Sequence, residues 1–327
     1  FRDHKNWCAV KHALVIGMGN VALDVARILA KTADELAKTD IADYALKELR
    51  KSQLENIWLV GRRGPLQAAF SPAELREFLE LPDADVLVEA DALELDAESQ
   101  QILETLASND TKKNIEILKQ ISARDASGKK RRVRFLFLAS PVEISGNDKV
   151  EKISMVRNQL VKQEDGSLRP QATENKLEEE AGLIFRSIGY HGKPLTDLPF
   201  DKKSGTIPNE CGQVKDTENG NVLRNREYVA GWIKRGPNGV IGTNKQDAVE
   251  TVHRMLETFL NEKMEAGKND VNPDIVSLLE NRKVDFFSFA DWLLLDAHET
   301  EAGQKLGRPR TKLTSVAEML EIIRKKS

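Results

Sequence analysis

The order of apolar and polar positions along this chain predicts strands alternating with helices. Ala13-Leu-Val-Ile16 is a short, unbroken apolar run, as a strand covered on both faces requires. Gly17-Met18-Gly19-Asn20-Val21-Ala22 follows, and then apolar positions at helical spacing. Ile57-Trp-Leu-Val60 is a second such strand. The intervening segment, Lys31 to Ser52, is polar with scattered Leu, Ile and Ala, and reads as a lengthened helix plus a second helical piece. Ser71-Pro72-Ala73-Glu74 predicts a helix start by capping box, with Ser at the N-cap, Pro at the first position and Glu at the third.

Val86 to Ala90 is expected as a strand and Ser99 to Gln120 as a polar helix. Arg131 to Leu138 alternates as a strand, with Val133, Phe135 and Phe137 on one face. Val150 to Val161 is expected as its hairpin partner across Ser145-Gly146-Asn147-Asp148. Gln163 to Glu180 is polar and acidic, so a surface hairpin or linker is expected. Leu183-Ile-Phe185 reads as another buried strand.

After Gly189 the pattern changes to short apolar pieces among Gly, Pro and Asn, such as Tyr228-Val-Ala230. A helix is expected from Thr243, with Thr243 and Gln246 as a capping box. It runs through Ala248, Val249, Val252, Met255, Leu256 and Phe259, apolar at helical spacing, and apolar surface around Trp232, Phe259 and Trp292 is expected to be left uncovered. Short helices around Leu278, Phe286, Trp292, Leu293 and Met319 complete the chain. There are no internal repeats, and one domain boundary is expected near residue 182.

Composition narrows this picture in a few places. The 327 residues, 40% hydrophobic, suffice for two domains. A net charge of −3 gives no electrostatic case for nucleic acid. Cys8 and Cys211 form no CxxC, which removes a thioredoxin-type redox motif and a cysteine metal site and fits a reducing compartment. The five histidines form no metal-binding pattern, and no apolar run reaches the ~18 residues of a membrane span. The first residue is Phe1, a poor translation start. The chain is therefore expected to begin within a longer protein, with any targeting signal outside it.

The chemistry-bearing phrase is Gly61-Arg62-Arg63-Gly64 at the end of the second strand. Strand, glycine turn, helix, strand is how a dinucleotide is held. Gly17 permits the turn, Gly19 lets a pyrophosphate approach the backbone, and the helix start offers free N–H groups to that anion. NAD-binding chains commonly end the second strand on Asp or Glu for the ribose 2′-hydroxyl. Arg62 and Arg63 instead suit a 2′-phosphate, so NADP(H) is the expected ligand. The usual spacing of ~20 residues from the glycines is exceeded by the Lys31–Ser52 insertion.

A second candidate site is Gly231-Trp232-Ile233-Lys234-Arg235-Gly236-Pro237-Asn238-Gly239-Val240-Ile241-Gly242-Thr243-Asn244. Its glycines permit close approach of backbone to a flat ligand, and the positive end of the following helix suits the N1/C2=O edge of a flavin. On these residues alone an ordinary glycine-rich loop with a packed Trp stays equally open.

The chain resembles the adrenodoxin-reductase-like family of ferredoxin–NADP⁺ reductases. The likeness is carried by Val15-Ile-Gly-Met-Gly-Asn-Val-Ala-Leu-Asp-Val-Ala-Arg-Ile-Leu29, Gly61-Arg-Arg-Gly-Pro-Leu-Gln-Ala-Ala-Phe70, Arg186-Ser-Ile-Gly-Tyr190, Gly205-Thr-Ile-Pro-Asn209, Gly231 to Asn244, and Gly307-Arg-Pro-Arg-Thr-Lys-Leu313. It implies an α/β protein of two Rossmann-like, three-layer dinucleotide-binding domains, the NADP domain inserted in the FAD domain. Residues 13–182 would be the NADP-binding domain, and residues 1–12 with 183–327 the C-terminal part of the FAD-binding domain. The family's own FAD glycine turn does not occur here, so an N-terminal FAD-domain segment is expected to be missing.

The resemblance also implies roles. Met18, Gly19, Asn20 and Val21 would line the NADP pyrophosphate, and Arg62 and Arg63 would hold the 2′-phosphate. Glu74 would lie near the nicotinamide as the catalytic residue, although its residue pattern alone reads equally as a helix cap. Trp232, Gly239, Val240 and Ile241 would contact FAD, with Gly239 also at the nicotinamide; Trp232 read alone is core. The activity implied is electron transfer between NADPH and a ferredoxin-like iron–sulfur protein through FAD, in the cytoplasm or the mitochondrial matrix. Two other readings stand beside it: a chain similar to the small subunit of glutamate synthase, whose cysteine-rich motifs are missing here, and a non-catalytic NADP-binding fragment. The basic run Lys129 to Arg134 reads as a strand edge guarded by charge, with steering of an acidic partner as the other reading.

Overall fold

The computed structural model describes residues 7–164, 166–237, 241–265 and 274–326. They fall into two compact units, residues 1–188 with 287–327, and residues 189–286.

The first unit is built on a five-stranded parallel sheet. Its strands are β1 (His12–Ile16), β2 (Asn56–Val60), β3 (Ala84–Val88), β4 (Arg131–Leu136) and β8 (Leu183–Arg186), in the order β3-β4-β2-β1-β8. β8 thus continues the sheet just beyond residue 182, where the domain boundary is expected.

One face of this sheet is covered by α1 (Asn20–Ala30), α4 (Pro72–Arg76) and α6 (Asn109–Ser122). Ala13, Val15, Ile57, Leu59, Val133 and Phe135 meet Leu23, Leu75, Phe78 and Leu118 there. Phe70 and Phe78 both meet Phe135 edge to face, the closer centroids 5.5 Å apart. Burying each such side chain stabilises the fold by about 1.5–3 kcal/mol.

The other face is covered by an antiparallel sheet of β5 (Ala139–Ser145), β6 (Lys152–Lys162) and β7 (Leu168–Glu180). Leu14, Val60 and Leu136 pack there against Ala139, Ile153 and Met155.

Several expectations are corrected here. The hairpin partner of β6 is β5, not Arg131–Leu138, because β4 is already paired on both sides by β2 and β3. Of the two readings of the polar segment Gln163–Glu180, the surface hairpin holds and the linker does not: Leu168–Glu180 is the 13-residue strand β7, paired antiparallel with β6 and without a buried residue. The Lys31–Ser52 insertion does not lengthen α1. Lys31 leaves the helical region, and Thr32 opens α2 (Ala33–Leu36) with a capping box to Glu35, before α3 (Asp43–Leu49). The expected helix Ser99–Gln120 is two helices, α5 (Ala97–Thr105) and α6, because Ser108 caps a fresh start.

The basic run is not a strand edge, since β4 is an interior strand of the sheet. Buried Asp85 accepts from the N–H groups of Ser127, Gly128 and Lys129. Those donors hold its pKa below the usual carboxylate value despite burial. Arg131 donates to the carbonyls that end α1, and Arg134 lies 5.3 Å over the Trp58 ring.

The C-terminal part of this unit carries α10 (Phe289–Gln304) and α11 (Val316–Lys326). Between them, buried Arg308 donates to Asp43 and to the Thr39 and Ile41 carbonyls, so it clamps the insertion between α2 and α3. Arg308→Ala is expected to lower unfolding free energy by about 2–3 kcal/mol, because charged hydrogen bonds are lost while exposed Asp43 rehydrates. A urea melt checks this; an unchanged midpoint would show that the clamp contributes nothing.

The second unit holds the antiparallel strands β9 (Asn209–Glu210), β10 (Gln213–Asp216) and β11 (Val222–Tyr228), then α7 (Trp232–Arg235), α8 (Ile241–Glu265) and α9 (Ile275–Asn281). α8 starts at Ile241, so Thr243 lies inside the helix and is not its N-cap. The apolar positions Val249, Val252, Met255, Leu256 and Phe259 of this helix are exposed, as are Trp232 and Trp292, in keeping with the uncovered apolar surface expected there.

Candidate functional site

The glycine turn sits where β1 hands over to α1, at the carboxyl ends of the strands, where open parallel sheets bind ligands. Gly17 takes φ +139° and donates to the Val60 carbonyl at 2.8 Å. A Cβ on Gly17 would stand 2.0 Å from the Ser187 carbonyl oxygen, just past β8, so neighbouring backbone requires this glycine. Met18 lies against Gly61, whose own Cβ would be 2.6 Å from the Met18 side chain. Gly19 differs: it has φ −118°, and a Cβ there would meet no protein atom within 4 Å. The fold does not need a glycine at 19, whereas a ligand approaching the backbone does.

Gly19 is the N-cap of α1, with no side-chain cap and no acidic residue in the first turn. The first N–H groups of the helix have no intrahelical acceptor and carry the positive end of its dipole. Val21 is exposed on this turn. The Asn20 side chain is engaged within the protein: its Oδ1 accepts the Ser71 N–H at 2.8 Å.

Arg62 and Arg63 follow β2 directly and are both exposed. Among the described residues neither guanidinium has an ion-pair partner. Their backbone is held tightly. The Arg62 carbonyl accepts from Asn158 Nδ2 at 2.8 Å, and the Arg63 carbonyl from the Leu138 N–H at 3.1 Å. Partial desolvation, and then the neighbouring Arg62 charge, lower the pKa of Arg63. Two adjacent unpaired cations on a fixed backbone are a seat for a dianion.

The segment after the arginines runs back along the glycine turn. Ala69 donates to the Met18 carbonyl at 2.7 Å and bridges Gly19. Buried Asn114 holds the Phe70 carbonyl at 2.9 Å. α4 then begins at Ser71, but the expected capping box is not formed. The Ser71 side chain makes no cap bond, and the Ser71 N–H that Glu74 would have accepted goes to Asn20. Glu74 turns instead to Arg27 of α1, at 2.7 Å. Arg27 also binds Asp24 and Glu77, and these carboxylates keep its pKa raised against the opposing effect of desolvation.

Asn158 and Arg27 are absent from the residues picked out by sequence. Asn158 lies at the bulge of β6 between Arg157 and Gln159, so no lone polar position marks it in the sequence. Arg27 lies seven positions after Asn20, on the helical face that reaches α4.

In the second unit, Trp232 is exposed rather than core, and stacks on Tyr190 with centroids 5.9 Å apart and planes 23° from parallel. Gly231, at φ +71°, donates to Asp247 of α8. Buried Lys234 pairs with Asp247 at 3.0 Å and with Glu250. This pins the loop bearing Trp232 to the helix. Gly239 and Val240 lie outside the described residues, and Ile241 is the first residue of α8. Trp232 and Tyr190 together leave an exposed aromatic pair for a flat ring, which fits a flavin.

Among the described residues no group of His, Cys, Asp and Glu can hold a metal, and no helix is long and apolar enough to cross a membrane.

No protein-family profile matches the chain. Individual proteins match it closely. It is 45% identical over 314 residues to NADPH-ferredoxin reductase FprA of Mycobacterium tuberculosis, covering 95% of this chain and 67% of that protein. It is 37% identical over 324 residues to the mitochondrial NADPH:adrenodoxin oxidoreductase of Homo sapiens, covering 95% of this chain and 63% of that one. Among solved structures, Mycobacterium tuberculosis FprA in complex with NADPH superposes with a TM-score of 0.86 at 44% identity, over 96% of this chain and 68% of its own. The chain spans about two thirds of the length of these relatives, and it belongs to the family of FAD-dependent ferredoxin–NADP⁺ reductases that includes FprA and the adrenodoxin oxidoreductases.

Proposed function

We propose that this protein passes electrons between NADPH and an iron–sulfur protein of ferredoxin type by way of FAD. The observation that carries the reading is the pair Arg62 and Arg63, exposed and unpaired beside an uncapped helix start whose Gly19 leaves its backbone open. Met18, Gly19, Asn20 and Val21 seat the pyrophosphate by backbone N–H groups, the two arginines hold the 2′-phosphate, and Glu74 faces the nicotinamide. Trp232, with Gly239, Val240 and Ile241, lies against the flavin. When bound, the nicotinamide supplies a hydride and the flavin hands electrons on singly. The protein binds, orients and sets local charge.

In this reading residues 13–182 are the NADP domain, and residues 1–12 with 183–327 belong to the FAD domain. The compartment is a reducing one, cytoplasm or mitochondrial matrix. The test is reduction of a ferredoxin by the FAD-loaded protein, with NADPH and NADH compared at equal concentration. Strong preference for NADPH is expected. Equal rates with both, or no reduction with either, would overturn the proposal.

A further inference from the structure

We infer that Arg27 is a positioning residue that turns Glu74 toward the nicotinamide end of bound NADP(H). The inference rests on the NADP reading above.

The chain itself retraces the cofactor. It leaves the 2′-phosphate seat at Arg63, passes the pyrophosphate seat where Ala69 bridges Gly19, is fastened at Ser71 by Asn20, and reaches Glu74 one helical turn later. The nicotinamide end of a dinucleotide lies beyond its pyrophosphate, in that same order.

Glu74 is not a helix cap, so its carboxylate is free for another task. Arg27 Nη2 holds its Oε2 at 2.7 Å, and its Oε1 has no partner among the described residues. One oxygen is fixed and the other offered. The Arg27 guanidinium is itself fixed, by Asp24 on its own helix and by Glu77 beyond α4. The Arg27 side chain is only 13% exposed, against 31% for Glu74, so Arg27 acts on a ligand through Glu74. Three carboxylates around a single guanidinium leave an excess of negative charge. The oxidised nicotinamide ring is cationic, and that excess favours it.

The test compares NADP⁺ with 2′,5′-ADP, which shares the 2′-phosphate and the adenosine 5′-phosphate and lacks the second bridging phosphate and the nicotinamide riboside. Both would be titrated calorimetrically into wild type, R27Q, E74Q and the double variant. R27Q and E74Q are each expected to weaken NADP⁺ by about tenfold, the size of one lost charge-assisted contact. The double variant should lose no more than either alone, since both remove the same contact. Binding of 2′,5′-ADP should stay within about twofold, because it depends on the arginine pair and α1.

R27K keeps a cation and should recover part of the loss. It also serves if R27Q fails to fold: a weakening of NADP⁺ alone, by about threefold, is then expected. Equal losses for both ligands, additive losses in the double variant, or unchanged NADP⁺ binding in the folded variants would overturn the role of Arg27. Failure of wild type to bind 2′,5′-ADP would count against the NADP site itself, not against Arg27.

Discussion

Replacing Arg62 and Arg63 together by alanine is expected to remove binding of 2′,5′-ADP while leaving the fold in place. Each arginine offers a charge-assisted contact of about 1.5–3 kcal/mol to a phosphate dianion. Losing both costs about 3–6 kcal/mol, or roughly two to four powers of ten in affinity. Among the described residues neither guanidinium is spent on an ion pair, so alanine orphans no carboxylate there. The backbone bonds from Asn158 and Leu138 do not depend on these side chains. The thermal midpoint should therefore barely move, and relief of the Arg62–Arg63 repulsion works in its favour. Wild-type affinity should fall steeply with salt, and the variant's residual affinity much less. NADH, lacking the 2′-phosphate, should bind both proteins alike. A variant that keeps 2′,5′-ADP affinity within about fivefold would show that the phosphate is held elsewhere.

Much of this site is legible in the sequence because its determinants are local. The Gly17–Gly19 turn, the buried strand before it and the arginines after β2 each show as a pattern within a few residues, although distant partners hold the turn and the arginine backbone in place. What escapes is set by partners distant in sequence. Ser71-Pro72-Ala73-Glu74 has every local feature of a capping box, yet Asn20, 51 residues earlier, takes the Ser71 N–H and Arg27 takes Glu74. For β7 the sequence leaves a surface hairpin and a linker both open, because its solvent-facing side chains carry no apolar pattern to decide between them; the backbone pairing with β6 decides for the hairpin. The Lys129–Arg134 run looks solvated because charge dominates it, although Asp85, the carbonyls at the end of α1 and the Trp58 ring engage parts of it in three dimensions. Trp232 read by its residue type alone is core, whereas the family likeness puts it against a ligand; it stands exposed on Tyr190.

The two glycines of the turn should separate folding from binding. Gly17→Ala places a methyl 2.0 Å from the Ser187 carbonyl oxygen at a backbone φ of +139°. Neither problem relaxes easily. The Gly17 N–H is bound to Val60, and Ser187 donates to Ile16, so moving either strand end breaks a sheet bond on one side or the other of β1. Backbone strain and overpacking together are expected to cost about 3–5 kcal/mol. In a unit of this size the thermal midpoint should fall by roughly 10 °C. Gly19→Ala meets neither problem: its φ of −118° is ordinary, and the new methyl points away from all protein atoms. Its stability should stay within about 1 kcal/mol of wild type, the usual span between glycine and alanine at an N-cap. The methyl would, however, stand between the backbone N–H groups of α1 and any pyrophosphate, and a contact that needs close approach does not survive an added ångström. NADP⁺ affinity should fall by about tenfold or more, as when a charge-assisted contact is lost. Melting both variants with and without NADP⁺ reads the two effects at once. Gly17→Ala should melt early, and Gly19→Ala should melt near wild type but lose the upward shift that ligand gives wild type. If Gly19→Ala keeps that shift in full, the glycine turn does not hold the cofactor's phosphates.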